Sequence, residues 1–427
     1  MFLNSIDGLH TAVKQTNYYK SKGDKIKPIL LDKVNFILNA IWLGNMHHWE
    51  LSQFKPVPLH NKILRNMLGR YEAENIIKLL QEMDVIQVNH SYIIGKESKK
   101  YGLTDNAKTF KYIQVGILSG RMEKKILNYK NDLLNYYLKD KIIHSKIIHN
   151  LTKLSFNPAT PKALTALNQN EKGTDKDKYY KSTYQALQEM NGYTSINQYI
   201  KCSNFYYTQS KKVNRVFHYF STIPKPYRES LTLKDGTLLA EIDLKNSQPL
   251  IIGLNYLNGK AMHTTTDKML LGDILEGNFY NRIAKHALNK GDLEMHNLYT
   301  SNYGKFKATV LGQGMYFNYV PLEAVKNAET YLMGVYPDFM KYLREKKRVN
   351  GYKSISIEAQ QIEAGIFIND LFTRLDNNHF AVPVHDSIIV KSNDVNQFLI
   401  KLIDIFRSKF PLLSRQQVQN LFRITYY

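Results

Sequence analysis

Leu238-Leu239-Ala240-Glu241-Ile242-Asp243-Leu244-Lys245-Asn246-Ser247-Gln248-Pro249 decides how this chain is read. An apolar run that ends in a carboxylate, followed at once by small polar residues and a proline, predicts a buried strand delivering Asp243 to a surface. Phe380-Ala381-Val382-Pro383-Val384-His385-Asp386-Ser387-Ile388-Ile389-Val390 repeats the design. Two short apolar strands flank His-Asp-Ser, the pattern of a hairpin with an acid at its tip. Two carboxylates from distant parts of the chain, each at a strand end, can meet and share divalent cations, which is how two-metal sites are built.

The bulk properties narrow the partners. With 427 residues the chain is long enough for two or three domains of roughly 150 residues. A hydrophobic fraction of 43% with 12% aromatics excludes a disordered chain. Lysine and arginine number 58 against 37 acidic residues, a net charge of +21. Such an excess repels itself unless a polyanion offsets it, so nucleic acid is the leading partner and an anionic membrane surface the weaker one. No apolar run is long enough to span a bilayer. The start, Met1-Phe2-Leu3-Asn4-Ser5-Ile6-Asp7, lacks the basic flank and apolar core of a secretory signal. The single cysteine, Cys202, excludes an intramolecular disulfide and a multi-cysteine zinc site, and the histidines are scattered without ligand spacing. A reducing, cytoplasmic setting is expected.

Along the chain, residues 1–30 read as a polar, lysine-rich lead-in. Residues 31–118 follow as a small domain: Val34, Ile37, Leu38, Ile41 and Trp42 share a helical face, and further helices are expected over Asn61 to Leu68 and Glu72 to Met83. Val85-Ile86-Gln87-Val88 and Tyr92-Ile93-Ile94-Gly95 then form a hairpin whose far side carries Lys96, Lys99 and Lys100. Three helices and a basic hairpin make a winged-helix-like accessory domain, its third helix placed for a groove and its wing for phosphates. The plainer alternative is a packing or protein-adaptor module with solvated lysines. Residues 119–200 form a helical linker region, with one long amphipathic helix over Arg121 to Lys153 and a loop over Asn168 to Lys178.

Residues 201–427 hold the acid-bearing segments. Val216 to Phe220 alternates as a strand, bracketed by Arg215 and Arg228, which suit paired phosphate contacts or are two ordinary surface cations. In Tyr303 to Phe317, a helix would place Lys307, Leu311 and Met315 on one face with Tyr316 one position round. That layout fits a nucleoside triphosphate, with the lysine at phosphate charge and the tyrosine at base or sugar. Gly312 and Gly314 each weaken the helix by about 1 kcal/mol and permit close approach of a ligand. A helix over Glu358 to Leu375, with Gln360, Gln361 and Glu363 as polar exceptions, leads into the His-Asp-Ser hairpin; Val395 to Phe406 is an amphipathic helix that packs behind the sheet.

Asp243 with Ser247 and Gln248, then a lysine-bearing helix, then Val384-His385-Asp386-Ser387, resemble motifs A, B and C of family A DNA polymerases and the single-subunit phage and mitochondrial RNA polymerases. Asn214-Arg215-Val216-Phe217 resembles their upstream Gly-Arg element, with asparagine where glycine is usual. The likeness covers roughly Val213 to Phe410 and implies a divergent member from a phage or mobile element. The implied fold is α+β, a right-hand polymerase with a palm sheet, helical fingers and a thumb in the 119–200 region, preceded by the winged-helix-like domain. The implied chemistry is two Mg²⁺ ions about 3.5–4 Å apart on Asp243 and Asp386, activating a primer 3′-hydroxyl and holding the triphosphate. Lys307 would offset phosphate charge, and His385 would help position the primer terminus. Gln248, Ser247, Tyr316 and Lys305 are the implied substrate contacts. Arg215, Arg228, Gln361 and the wing lysines are the implied template and primer contacts.

The chain also departs from that pattern. Tyr303 stands where the family has an arginine four residues before its lysine, and Tyr316 is nine residues after Lys307 rather than eight, so Lys305 or a shifted register remains open. Gln248 replaces a glutamate that blocks a 2′-hydroxyl; it is nearly as large, and its amide can also donate a hydrogen bond.

Three functions stay distinct: a primer-extending DNA polymerase without a proofreading domain, an RNA polymerase or primase of the same fold to which His-Asp-Ser is closer, and a non-catalytic nucleic-acid-binding regulator. All three predict steeply salt-sensitive binding. Retention of a labelled duplex by the chain is expected to fall by orders of magnitude between about 50 and 200 mM salt, and a flat response would exclude a polyanion partner.

Overall fold

A computed structural model of the chain describes residues 2–45, 55–89, 98–139, 141–168, 175–193, 195–201, 206–317 and 327–427. The expected strand Tyr92 to Gly95, Lys96 and Cys202 lie outside them. The chain is mixed α+β, and it divides into two compact units: Met1–Tyr207 with His218–Gly236, and Thr208–Phe217 with Thr237–Tyr427.

In the first unit the expected lead-in is structured. Strand Phe2–Ile6 pairs antiparallel with Tyr112–Gly116, from Phe2 opposite Gly116 to Ile6 opposite Tyr112. The lysines that give this stretch its polar composition hide an apolar series, since Leu3, Ile6, Leu9 and Val13 are all buried. Helix Lys27–Leu43 carries the unit's core on Leu30, Leu31, Val34, Ile37, Leu38 and Ile41. Its buried Asp32 accepts from the Leu118 and Ser119 amides at 2.8 and 2.7 Å, tying the entrance of the next long helix to this core. Helices Asn61–Leu68 and Glu72–Glu82 follow, and a three-stranded antiparallel sheet runs in the order Val57–Pro58, Lys100–Leu103, Ile86–Asn89. Lys100 is exposed at the start of its strand and Lys99 directly precedes it.

Two further expectations for this unit change. The single helix over Arg121 to Lys153 is two helices, Gly120–Lys139 and Ile142–Leu151, leading into strand Leu154–Phe156. The first buries Met122, Ile126, Leu134 and Tyr137, while the second buries His144, Ile147, Ile148 and Leu151, so each packs its own stripe. The segment expected as a loop to Lys178 turns helical at Asp175 and runs to Asn191. Asn191 explains the need for that helix: its side chain accepts from the Phe156 amide and donates to the Phe156 carbonyl, both at 2.6 Å, completing one edge of a strand that pairs on its other side with Leu231–Leu233.

The second unit is built on a four-stranded antiparallel sheet in the order Ala381–Val384, Ser387–Lys391, Leu239–Leu244, Phe422–Tyr426. Leu239–Leu244 is an inner strand with Leu239, Ala240, Ile242 and Leu244 buried, which is why it reads as a nearly unbroken apolar run. Helix Val395–Lys409 buries Phe398, Leu402 and Phe406 behind the sheet. The segment expected as one helix from Tyr303 changes pitch: Tyr303–Thr309 is α-helical and Val310–Met315 is π-helical, with the Tyr316 amide bonded to the Leu311 carbonyl at 2.8 Å. Gly314 is needed for protein packing here, because a Cβ on it would come within 2.4 Å of Leu332 on helix Asn327–Val335. A similar π-helical turn, Gly365–Asp370, follows helix Ser354–Ala364.

Lys347, fully buried on helix Pro337–Asn350, braces the first π turn by donating to the Gly314 carbonyl at 3.2 Å, and its ammonium lies 3.7 Å from the buried Glu329. Without this ammonium the Gly314 carbonyl loses this donor and Glu329 is left with the Arg344 guanidinium, bonded at 2.9 Å. Lys347→Met is therefore expected to lower stability by about 3 kcal/mol, read as an earlier chemical-denaturation midpoint.

Candidate active site

The two acids meet because of strand register. Asp243 pairs opposite Ser387, the residue after Asp386, and the Leu244 amide donates to the Asp386 carbonyl at 3.0 Å. The His385-Asp386 tip is a two-residue turn closed by the Val384–Ser387 pair, and it requires the left-handed backbone that His385 adopts at φ 55°. Both acids line an open cleft of about 510 Å³ with Ser247, Gln248, Tyr280, Tyr303, Lys307 and Arg423. That volume is in the range of a site for a drug-sized or nucleotide-sized ligand.

The residues around the acids are held in turn. After its strand the chain turns through Asn246 at φ 50° and starts helix Ser247–Asn258, whose first residue donates from its hydroxyl to Asp386 Oδ2 at 2.7 Å. Asn246 Oδ1 accepts from Lys307 Nζ at 3.2 Å, and the ammonium also lies over the Tyr280 and Tyr303 rings at 5.2 and 5.5 Å. Burial lowers the Lys307 pKa, opposed by the charges of Asp386 and Asp243. Asp243 shifts the other way, raised first by burial and then by Asp386, against the ion pair that Arg423 makes with it.

A second constellation adjoins the first. Tyr316 donates to Gln248 Oε1 at 2.7 Å, and Gln248 Nε2 donates to Glu363 Oε2 at 3.0 Å. Arg215 Nη2 lies 2.5 Å from Glu363 Oε1, and the Glu363 side chain is fully buried. Burial, with a smaller push from Asp386, raises the Glu363 pKa to about 7 despite Arg215.

The structure thus gathers Asp243, Asp386, Lys307, Ser247, Gln248 and Tyr316, and joins Arg215 to them through Glu363. The π turn Val310–Met315 lies between Lys307 and Tyr316 and widens the helix there by one residue per turn. Lys307 lines the cleft, whereas Lys305 is exposed and is not among the cleft-lining residues. His385 sits against Phe217, ring centroids 5.7 Å apart. Gln361 donates to the Lys212 carbonyl at 2.8 Å and so braces the 208–217 segment, whose Asn214 has φ 58°. Asparagine tolerates the left-handed region that glycine ordinarily fills. Arg228 belongs to a helical turn, Lys225–Arg228, of the first unit.

Sequence reasoning missed Arg423 and the central place of Glu363. Phe422-Arg423-Ile424-Thr425-Tyr426 alternates well enough to signal a strand, but nothing local says that it lies beside Asp243. Asp243 and Asp386 are the residues that could hold divalent cations: two half-buried carboxylates, Asp243 raised first by burial and then by the charge of Asp386, line an open cleft. No protein-family model matches the chain, and no curated protein matches its sequence.

Glu363 makes a pH prediction whose sign is set by its raised pKa. Between about 4.5 and 7 the folded chain holds a proton there that the unfolded chain has released, so this group's stabilising contribution is full below that window and is lost as pH rises through about 7. Denaturation midpoints measured across pH 4.5–7 should show that slope in the wild type and lose it in Glu363→Gln; equal slopes would reject the assignment.

Proposed function

We propose that the chain is a template-directed nucleotidyltransferase, a primer-extending DNA polymerase of right-hand architecture without a proofreading domain and a divergent relative of family A polymerases. The observation that carries this reading is the convergence of Asp243 and Asp386 on neighbouring strand ends in a cleft that also holds Lys307. In this reading the four-stranded sheet is the palm, the segment from Tyr303 to Tyr316 belongs to the fingers, and the first unit's three helices and small sheet form a winged-helix-like module that contacts nucleic acid.

Asp243 and Asp386 would hold two Mg²⁺, which when bound supply Lewis-acid activation of a primer 3′-hydroxyl and charge neutralisation on the triphosphate. Ser247 fixes the orientation of Asp386 by its hydrogen bond. Asn246 aims Lys307 toward the cleft, where its ammonium meets the charge that builds on the phosphates in the transition state. Gln248, held at both ends of its amide by Tyr316 and Glu363, forms a fixed wall beside the nucleotide sugar. A wall that cannot turn away favours deoxyribose over ribose. Ser387, whose presence makes the triplet resemble RNA polymerases, is buried and gives its hydroxyl to Glu241 at 2.5 Å, so it bears on strand packing rather than on sugar choice.

Incubation of the full chain with primed and unprimed templates, Mg²⁺ and either dNTPs or rNTPs tests the proposal. Extension of a primer with dNTPs is expected, and Asp386→Asn should reduce it by about a hundredfold or more because it removes a metal-binding charge while keeping shape. Synthesis from rNTPs would move the assignment to an RNA polymerase or primase. Binding without synthesis would leave a regulator, and an unimpaired Asp386→Asn would reject this centre.

A further inference from the structure

Asp243 has an acid on one side and an arginine on the other. Its inner strand pairs with Ser387–Lys391, behind the Asp386 turn, and with the edge strand Phe422–Tyr426, on which Arg423 stands directly opposite Asp243. The Arg423 guanidinium is ion-paired to Asp243 Oδ2. Its side chain is 59% exposed, and it lines the same cleft as Lys307.

A divalent cation and a guanidinium compete for one carboxylate oxygen, because both seek its lone pairs and their like charges repel at contact. The pairing is weak enough to exchange, since a half-exposed ion pair is only slightly favourable in water. With its side chain 59% exposed, the long Arg423 stem is not packed into the core and lies at the cleft's solvent side. A triphosphate entering with its cations would present that released guanidinium with oxygens it can grip in pairs, for which its planar fork is suited.

We propose that Arg423 is a positioning residue that exchanges partners: it holds Asp243 until divalent cations enter the cleft, then shifts to the phosphate oxygens of the incoming nucleotide. This rests on the polymerase reading and adds to it a residue outside the segments that carry the resemblance. The exchange makes cation entry and nucleotide entry mutually dependent. Before the nucleotide arrives, Arg423 restrains cation binding; afterwards it secures the ligand that came with the cations.

Mn²⁺ titrated into the full chain without nucleotide, with free Mn²⁺ read by electron paramagnetic resonance, tests the first half. Arg423→Gln should bind Mn²⁺ about two- to fivefold more tightly than wild type, the scale of a partly exposed ion pair, and Arg423→Lys should stay near wild type. In primer extension, Arg423→Gln should raise KM for dNTP several-fold, with a smaller change in kcat and an unchanged KM for primed template. Equal Mn²⁺ affinity in wild type and Arg423→Gln overturns the exchange even where the chain polymerises normally, as does an unchanged KM for dNTP. Wild type and Asp386→Asn that both fail to bind Mn²⁺ would overturn the metal centre and this proposal with it.

Discussion

The antiparallel pairing of Leu239–Leu244 with Ser387–Lys391 is the constraint on which the candidate site depends. Side chains alternate along a strand, so a slip of one residue would turn Asp243 to the opposite face of the sheet. The buried apolar residues prevent that slip: Ala240, Ile242, Ile388 and Val390 would all lose their packing together. Ser387 adds a polar lock, donating to Glu241 on the facing strand at 2.5 Å, while Tyr427 reaches the other oxygen of the same carboxylate at 2.9 Å. A buried acid in the middle of an apolar strand would be costly alone, and here it has two hydroxyl partners.

Around that pair the site is a balance of charges at close quarters. Burial, and beside it the charge of Asp386, raises the carboxyls of both Asp243 and Glu363. Lys307, Arg215 and Arg423 answer them, each from a different element. Besides these counter-charges, Ser247, Asn246 and Gln248 make hydrogen bonds with Asp386, Lys307 and Glu363 from one short turn. The compact segment Asn246-Ser247-Gln248 therefore links the acids, the lysine and the Glu363 network.

The π-helical turn at Val310–Met315 shows how packing far from the cleft sets its contents. Gly314 lets helix Asn327–Val335 approach, and the buried Lys347 holds the Gly314 carbonyl from beneath. Together they fix the widened turn that brings the Tyr316 hydroxyl to Gln248. A glycine that reads in sequence as room for a ligand is, in the fold, room for Leu332.

By itself the sequence determined the local elements whose patterns are strong: the acid-bearing inner strand, the His-Asp hairpin, the helix carrying Lys307 and the helices Lys27–Leu43, Asn61–Leu68 and Glu72–Glu82. Those are decided by apolar periodicity and turn chemistry within a dozen residues. Composition alone misled at the amino terminus, where abundant lysines masked Leu3, Ile6, Leu9 and Val13, and at Asp175–Asn191, where a polar helix is stabilised by its tertiary contacts. Only the tertiary structure decided the partners: Arg423 beside Asp243, Arg215 on Glu363, Tyr316 on Gln248. Strand order and helix pitch are set by contacts between residues remote in the chain, and no local window of sequence contains them.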